Sequence, residues 1–195
     1  MSKKPRHWND DPFTKKARKE NYEARSIYKL EEIYKREPLF KGVKRIIDLG
    51  AAPGSWTQFC LEKVQSCEIL AIDLSEIQVH DKRLKFVQAD INDFDFTAAM
   101  GGKQADLIIS DMAPKTSGIH DSDVFQSFEL CMMALNVARE HLKIGGNFVT
   151  KIFMGQSFEE YHREMKKMFT LVRIIRPEST RKHSRETFFV GKGKK

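Results

Sequence analysis

Cysteine is scarce in this 195-residue chain: Cys60, Cys67 and Cys131 are an odd number and form no C-x-x-C pair. That argues against a disulfide framework and against a cysteine-bound structural zinc, and a reducing compartment is expected. The six histidines, His7, His80, His120, His141, His162 and His183, show neither H-x-x-x-H nor HExxH spacing. No metal site is therefore expected. No run approaches the ~18 consecutive apolar residues that a membrane span requires. The first twenty residues are charged and lack the apolar segment of a secretory signal. A cytoplasmic protein is the expectation. Internal repeats are missing as well. So is G-x-G-x-x-G, the phosphate-cradling turn of dinucleotide folds.

The residues that are present make up 41% hydrophobic and 31% charged positions, the balance of a globular domain. The length suits one such domain. The net charge of +7 is unevenly placed: residues 1–45 carry +7, residues 46–162 carry −8 and residues 163–195 carry +8. Basic ends around an acidic centre can gather a polyanion through counterion release, which favours nucleic acid as a partner. Lysine-rich ends that merely solvate the chain are the plain alternative.

Apolar periodicity divides the chain. Residues 1–21 show no clean period and read as a basic, flexible segment that a partner would order. Helical spacing runs from Tyr22 to Arg36 and stops before Pro38. Short apolar runs at 45–49, 69–73, 85–88, 105–110, 147–153, 171–175 and 187–190 predict strands. Helices are predicted over 56–64, 123–142 and 158–169, with Gly145-Gly146 closing the second. Strands alternating with helices imply a Rossmann-like α/β fold, a mostly parallel seven-stranded sheet with helices on both faces. The last two strands have no helix between them, so one of them should run antiparallel. Residues 22–191 are expected to form one domain and 192–195 a basic tail.

Ligands of open parallel sheets bind beyond the carboxyl ends of the strands. The first strand ends in Asp48-Leu49-Gly50-Ala51-Ala52-Pro53-Gly54-Ser55-Trp56, where Gly50 and Gly54 allow close backbone approach. Pro53 removes an amide and Trp56 adds bulk, which does not suit a pyrophosphate. Asp73 ends the second strand, ~20–25 residues after the glycine turn, where an acid grips ribose hydroxyls. Asp90 follows the third, placed for an adenine amino group. A ribose-binding acid and an adenine-binding acid without a phosphate cradle point to S-adenosyl-L-methionine. Taken singly, each acid is also a common turn or cap residue, and each glycine a common tight turn. Asp111 and Lys151 end the fourth and fifth strands. A lysine within an apolar strand needs partners, and Lys29 and Glu186 are the candidate companions.

Five segments carry a resemblance: RSIYKL at 25–30, DLGAAPGSW at 48–56, SDMAP at 110–114, FVTKIF at 148–153 and PESTRKHSRE at 177–186. In this order over residues 22–191 they resemble the FtsJ/RrmJ family of large-subunit ribosomal RNA 2′-O-methyltransferases. The resemblance implies a methyltransferase fold and a Lys-Asp-Lys-Glu catalytic set at Lys29, Asp111, Lys151 and Glu186. It implies cofactor contacts at Gly54, Trp56, Asp73, Asp90 and Asp111, and a uridine ribose in the A loop of large-subunit rRNA as substrate. Ser55 departs from the glycine common in bacterial members and is expected to narrow the approach to the methionine moiety.

Lys151 is the candidate base for the ribose hydroxyl. A free lysine titrates near ~10.4. Burial, Lys29 and a sulfonium would lower that value while Asp111 and Glu186 would raise it, so the sign stays open. A charged Lys151 would still align the hydroxyl and stabilise its developing charge. Arg25, Arg181 and Lys182 are the foremost candidates for RNA phosphates, and Lys3, Lys4 and Arg6 are weaker ones. The expected partner is large-subunit rRNA or the large ribosomal subunit, met by a monomer without a membrane. A tRNA ribose methyltransferase remains a second reading. A catalytically silent RNA-binding or ribosome-assembly factor is a third. A nicotinamide-dependent oxidoreductase fails on the missing phosphate turn.

Overall fold

The structure, a computed structural model, describes residues 11–115 and 117–195. The candidate phosphate contacts Lys3, Lys4 and Arg6 lie outside the described residues. Seven strands form one sheet: β1 (Arg45–Leu49), β2 (Glu68–Asp73), β3 (Leu84–Gln88), β4 (Ala105–Ser110), β5 (Leu142–Phe153), β6 (Phe169–Ile175) and β7 (Glu186–Lys194). Their order is β3-β2-β1-β4-β5-β7-β6. β7 runs antiparallel to both β5 and β6 while the other pairings are parallel. The antiparallel strand expected near the end of the chain is thus β7.

Helices cover both faces. On one lie α1 (Pro12–Lys19), α2 (Ile27–Arg36) and α3 (Ser55–Lys63). They pack with Ile46, Leu107, Val149 and Phe188 into one core. On the other lie α4 (Phe96–Ala99), α5 (His120–His141) and α6 (Phe158–Met168). These bury Ile47, Ile108, Phe148 and Phe189 in a second core. Alternate residues of each strand feed opposite cores, as the pleat requires. Among the described residues no helix is long and apolar enough to cross a membrane. The three cysteines are unpaired and buried.

Four sequence expectations need correction. Residues 12–19, read as part of an unstructured segment, form α1. Pro12 sits in its first turn, Lys16, Arg18 and Lys19 in its last, and Ala17 is buried. Phe13 packs on Tyr28 at 5.6 Å, so α1 is held by α2 rather than by its own short period. Helix α2 begins at Ile27 and not at Tyr22. Residues 22–23 dock on α3 instead: Tyr22 Oη donates to Glu62 Oε2 at 2.8 Å, and Glu23 N donates to Gln58 Oε1 at 3.0 Å.

At the chain's far end, the expected basic tail 192–195 is mostly the last part of β7. Lys192 pairs with Glu37, and Lys194 Nζ donates to the carbonyls of Ala138 and Leu142 at the end of α5. That cap ends α5 at His141, so Gly145-Gly146 does not close the helix but lies inside β5. There the pairing with β4 shifts register between Ala105 and Leu107, and Gly145 adopts φ +77°. A glycine bulge inside a strand and a glycine helix stop look alike in sequence.

Candidate active site

Strand order reverses between β1 and β4, where the crevice of an open parallel sheet lies. In register, Leu49 stands beside both Ile72 and Ser110. The turn after β1 and the loop after β4 therefore leave the sheet side by side. Gly50 has φ +72°, and a Cβ there would lie 2.5 Å from Met112 Cγ. Only glycine lets the two segments come this close. Gly50 N and Ala51 N donate to Ile72 O at 2.9 and 3.1 Å, and Ala52 N donates to Asp73 Oδ2 at 2.9 Å. Asp73 Oδ1 accepts from Ser75 N at 2.8 Å. The β2 acid thereby fixes the β1 turn, and both oxygens keep a lone pair for a ligand.

A cleft of 570 Å³ opens between these turns, lined among others by Gly50, Asp73, Asp90, Asp111, Lys115 and Met133. Asp90 stands exposed at its edge, its Oδ1 accepting from Asn92 N and Nδ2 at 2.9 and 3.0 Å. Of the residues assigned to cofactor binding from sequence, Gly50, Asp73, Asp90 and Asp111 share this cleft. Gly54 and Trp56 are not among its walls. Gly54, at φ +114°, faces Val79. Trp56 is buried, donates from Nε1 to Ser26 O at 3.0 Å and packs on Phe188 at 5.7 Å. Ser55 does not narrow the cleft either: its Oγ lies 2.7 Å from Ser26 Oγ and joins α3 to α2.

Beside the cleft the four candidate catalytic side chains meet as two ion pairs. Lys29 Nζ donates to Glu186 Oε2 at 2.9 Å. Lys151 Nζ donates to Asp111 O at 2.6 Å and to Asp111 Oδ1 at 3.0 Å. Lys151 is 4% exposed and Lys29 8%, so these charges are compensated by their partners rather than by water. Burial pulls the Glu186 carboxyl upward, but Lys29 and Lys151, with hydrogen bonds from Lys29 and Ser184, outweigh it and hold the group below the ordinary range. Since Glu186 responds to both lysines, the two pairs form one electrostatic unit. Lys29 Nζ also stands 5.9 Å from the Phe188 ring centroid. Trp56, packed on that ring and bonded to α2, therefore helps to place Lys29.

The RNA candidates separate. Arg181 and Lys182 are exposed on the 176–185 loop. Arg25 is instead drawn into the structure, paired with the Asp11 carboxylate and donating to Ser179 O. Burial and then the nearby Arg181 charge pull its guanidinium below the ordinary value.

Two residues escaped the sequence reading. Glu32, one helical turn after Lys29, accepts from Glu178 N at 2.6 Å and Ser179 N at 2.9 Å, which fastens the Arg181 loop to α2. Nothing in its surroundings in sequence marks it. Asp48 is fully buried in β1, with Thr57 Oγ1 donating to Oδ2 at 2.6 Å and no partner on Oδ1 among the described residues. Burial, opposed by the Thr57 hydrogen bond and reinforced by the Asp111 and Asp73 charges, pushes its carboxyl up to about 7. An acid within an apolar strand was its legible signal.

A mostly parallel seven-stranded sheet with only β7 reversed, an acid-lined cleft at its switch point and lysines paired with acids beside it define a Rossmann-like methyltransferase. Residues 22–194 match the model of the FtsJ-like methyltransferases. The ribosomal RNA large subunit methyltransferase E of Bdellovibrio bacteriovorus is 43% identical over 95% of this chain and 97% of its own length. The protein of the same name from Oleidesulfovibrio alaskensis is 44% identical over 94% of this chain and 91% of its own. A crystal structure described as a Plasmodium falciparum ribosomal RNA methyltransferase superposes with TM-score 0.78 at 28% identity, covering 89% of this chain and 98% of that one. The chain belongs to the FtsJ-like methyltransferase family.

Proposed function

We propose that this protein transfers the methyl group of S-adenosyl-L-methionine to a ribose 2′-hydroxyl of large-subunit ribosomal RNA, with a uridine of the A loop as target. The observation that carries the reading is the convergence of the Lys29–Glu186 and Lys151–Asp111 pairs beside the Asp73–Asp90 cleft. The names of the similar proteins support the choice of large-subunit rRNA.

The cleft residues suit the cofactor. Its 570 Å³ lies in the range of small-molecule sites. Its named charged side chains are three carboxylates and one lysine, which suit hydroxyl and amino donors and a sulfonium better than phosphates. Asp73 would hold the ribose hydroxyls, Asp90 the adenine edge, Gly50 would admit the backbone close to the ligand, and Asp111 would face the cationic centre. Gly54 would act by starting α3 directly after the cleft turn, and Trp56 by tying that helix to α2. When bound, the cofactor supplies an electrophilic methyl group carried on sulfur.

The chain's residues then have a restricted task. Lys151 has three N–H donors and directs two at Asp111, leaving the third for the ribose oxygen. It would align the 2′-hydroxyl and stabilise the negative charge that develops on its oxygen as the O–H proton passes to solvent. Lys29 and Glu186 close the other side, with Glu186 kept ionised by both lysines. Arg181 and Lys182 hold phosphates outside. The protein acts as a cytoplasmic monomer.

The test is methyl transfer from labelled cofactor to large subunits, naked rRNA and bulk tRNA from a strain lacking the enzyme, with the product nucleotide mapped by mass spectrometry. A ribose methyl on an A-loop uridine is expected, and Lys151→Ala should abolish it while leaving cofactor binding intact. Label confined to tRNA would overturn the substrate. Near-normal single-turnover transfer by Lys151→Ala would overturn the catalytic assignment.

A further inference from the structure

Three large apolar side chains stand in solvent at one corner of the sheet's carboxyl edge. Ile119 is 67% exposed, Phe125 56% and Met154 47%. Ile119 precedes α5, Phe125 lies in its second turn and Met154 directly follows β5. Two contacts bring them to the same corner. Phe153 N donates to Ser127 Oγ at 3.0 Å. A Cβ on Gly155 would lie 2.3 Å from Val124 Cγ1, so residues 153–155 press against the first turns of α5.

The patch adjoins the catalytic pairs. Met154 N donates to Arg185 O at 3.0 Å, one residue before Glu186. Exposed cations lie on both loops that lead to it: Lys182 and Arg185 on the loop before β7, and Lys115 on the loop leading to Ile119. Asp121 and Glu129, about one turn either side of Phe125 on α5, are exposed acids, whereas Asp123 is engaged by Ser117 N and Oγ at 2.7 and 2.9 Å. An aromatic ring, a thioether and an aliphatic side chain beside lysines and an arginine match single-stranded nucleic acid. The cations meet phosphates and the apolar faces meet bases. A ribose that reaches the buried Lys151 must also belong to a nucleotide drawn out of its stack, which leaves its neighbours' base faces uncovered.

We propose that Ile119, Phe125 and Met154 form a stacking platform for the unpaired bases that flank the target ribose. The proposal rests on the RNA reading above and adds a base-contacting surface to it. The cations of these two loops and the continuity with Glu186 select RNA over a protein partner for this patch.

Two uridine oligonucleotides of about twelve nucleotides, one intact and one abasic at its central positions, carry the same phosphates and differ only in bases. Their binding is read by fluorescence anisotropy with S-adenosylhomocysteine present. The wild-type protein should bind the abasic strand about ten-fold more weakly, a loss typical of one or two stacked bases. Phe125→Ala should bind both strands alike, at the weaker level, with unchanged thermal stability, cofactor affinity and salt dependence. Phe125→Trp should restore the difference.

Equal binding of the two strands by the wild type, no binding of either, or full base dependence in Phe125→Ala would overturn the platform. So would a wild-type dimer that Phe125→Ala dissociates in sedimentation, since the patch would then join two copies of the chain. Wild-type methyl transfer to large subunits tests the underlying reading separately: base-dependent binding without transfer to any RNA would sink the methyltransferase function and leave the platform standing.

Discussion

Asp48 carries a pH dependence that can be worked out in advance. It is fully buried, one oxygen has no partner among the described residues, and its carboxyl is pushed from 3.8 up to about 7. The folded protein therefore keeps a proton on Asp48 over a window in which the unfolded chain has lost it. Stability falls wherever the folded state binds more protons than the unfolded state. The contribution is fully present below pH ~4, declines as pH rises, and is gone once the pH passes the folded value of about 7. At ~1.4 kcal/mol per unit, the whole shift corresponds to roughly 4 kcal/mol. The part falling between pH 5 and 8 is roughly 3 kcal/mol.

Asp48→Asn keeps the shape of the protonated acid and removes the titration. Urea unfolding of both proteins at several pH values gives the difference between them, in which the other titrating groups largely cancel. The two should be of similar stability near pH 4, and the variant should gain steadily to pH 8. A difference that stays flat with pH, or one that turns against the variant at pH 8, would show that water or a counter-charge reaches Asp48 and that burial does not control it.

Lys194→Met removes the cation that caps α5 through Ala138 O and Leu142 O; a loss of about 2 kcal/mol is expected, seen as a melting temperature lower by roughly 4–8 °C. Gly50→Ala forces a Cβ to 2.5 Å from Met112 Cγ at a φ of +72°, so it should cost about 1–3 kcal/mol and weaken cofactor binding measured by calorimetry. Glu32→Gln loosens the amides of Glu178 and Ser179, and KM for RNA should rise about five-fold with kcat nearly unchanged. An unchanged KM would detach Glu32 from RNA binding.

The sequence by itself determined the sheet, because apolar runs of strand length alternate with longer helical periods and the chain has few other ways to bury them. It also marked Asp73, Asp111 and Lys151, since charged residues within or at the ends of apolar strands need a reason to be there. That one of the last two strands runs reversed was legible from the missing helix between them, though not which one. Contacts distant in sequence decided the rest. Helix α1 exists because Phe13 and Ala17 find α2 and the core, and the terminal lysines became a strand and a helix cap because Glu37 and the α5 carbonyls lie beside them. Trp56 and Ser55 follow the cofactor turn in the chain yet face α2, for burial selects direction and spacing does not. The pairing of Lys29 with Glu186 spans 157 positions, and only the stacking of α2 against β7 brings these charges within 2.9 Å.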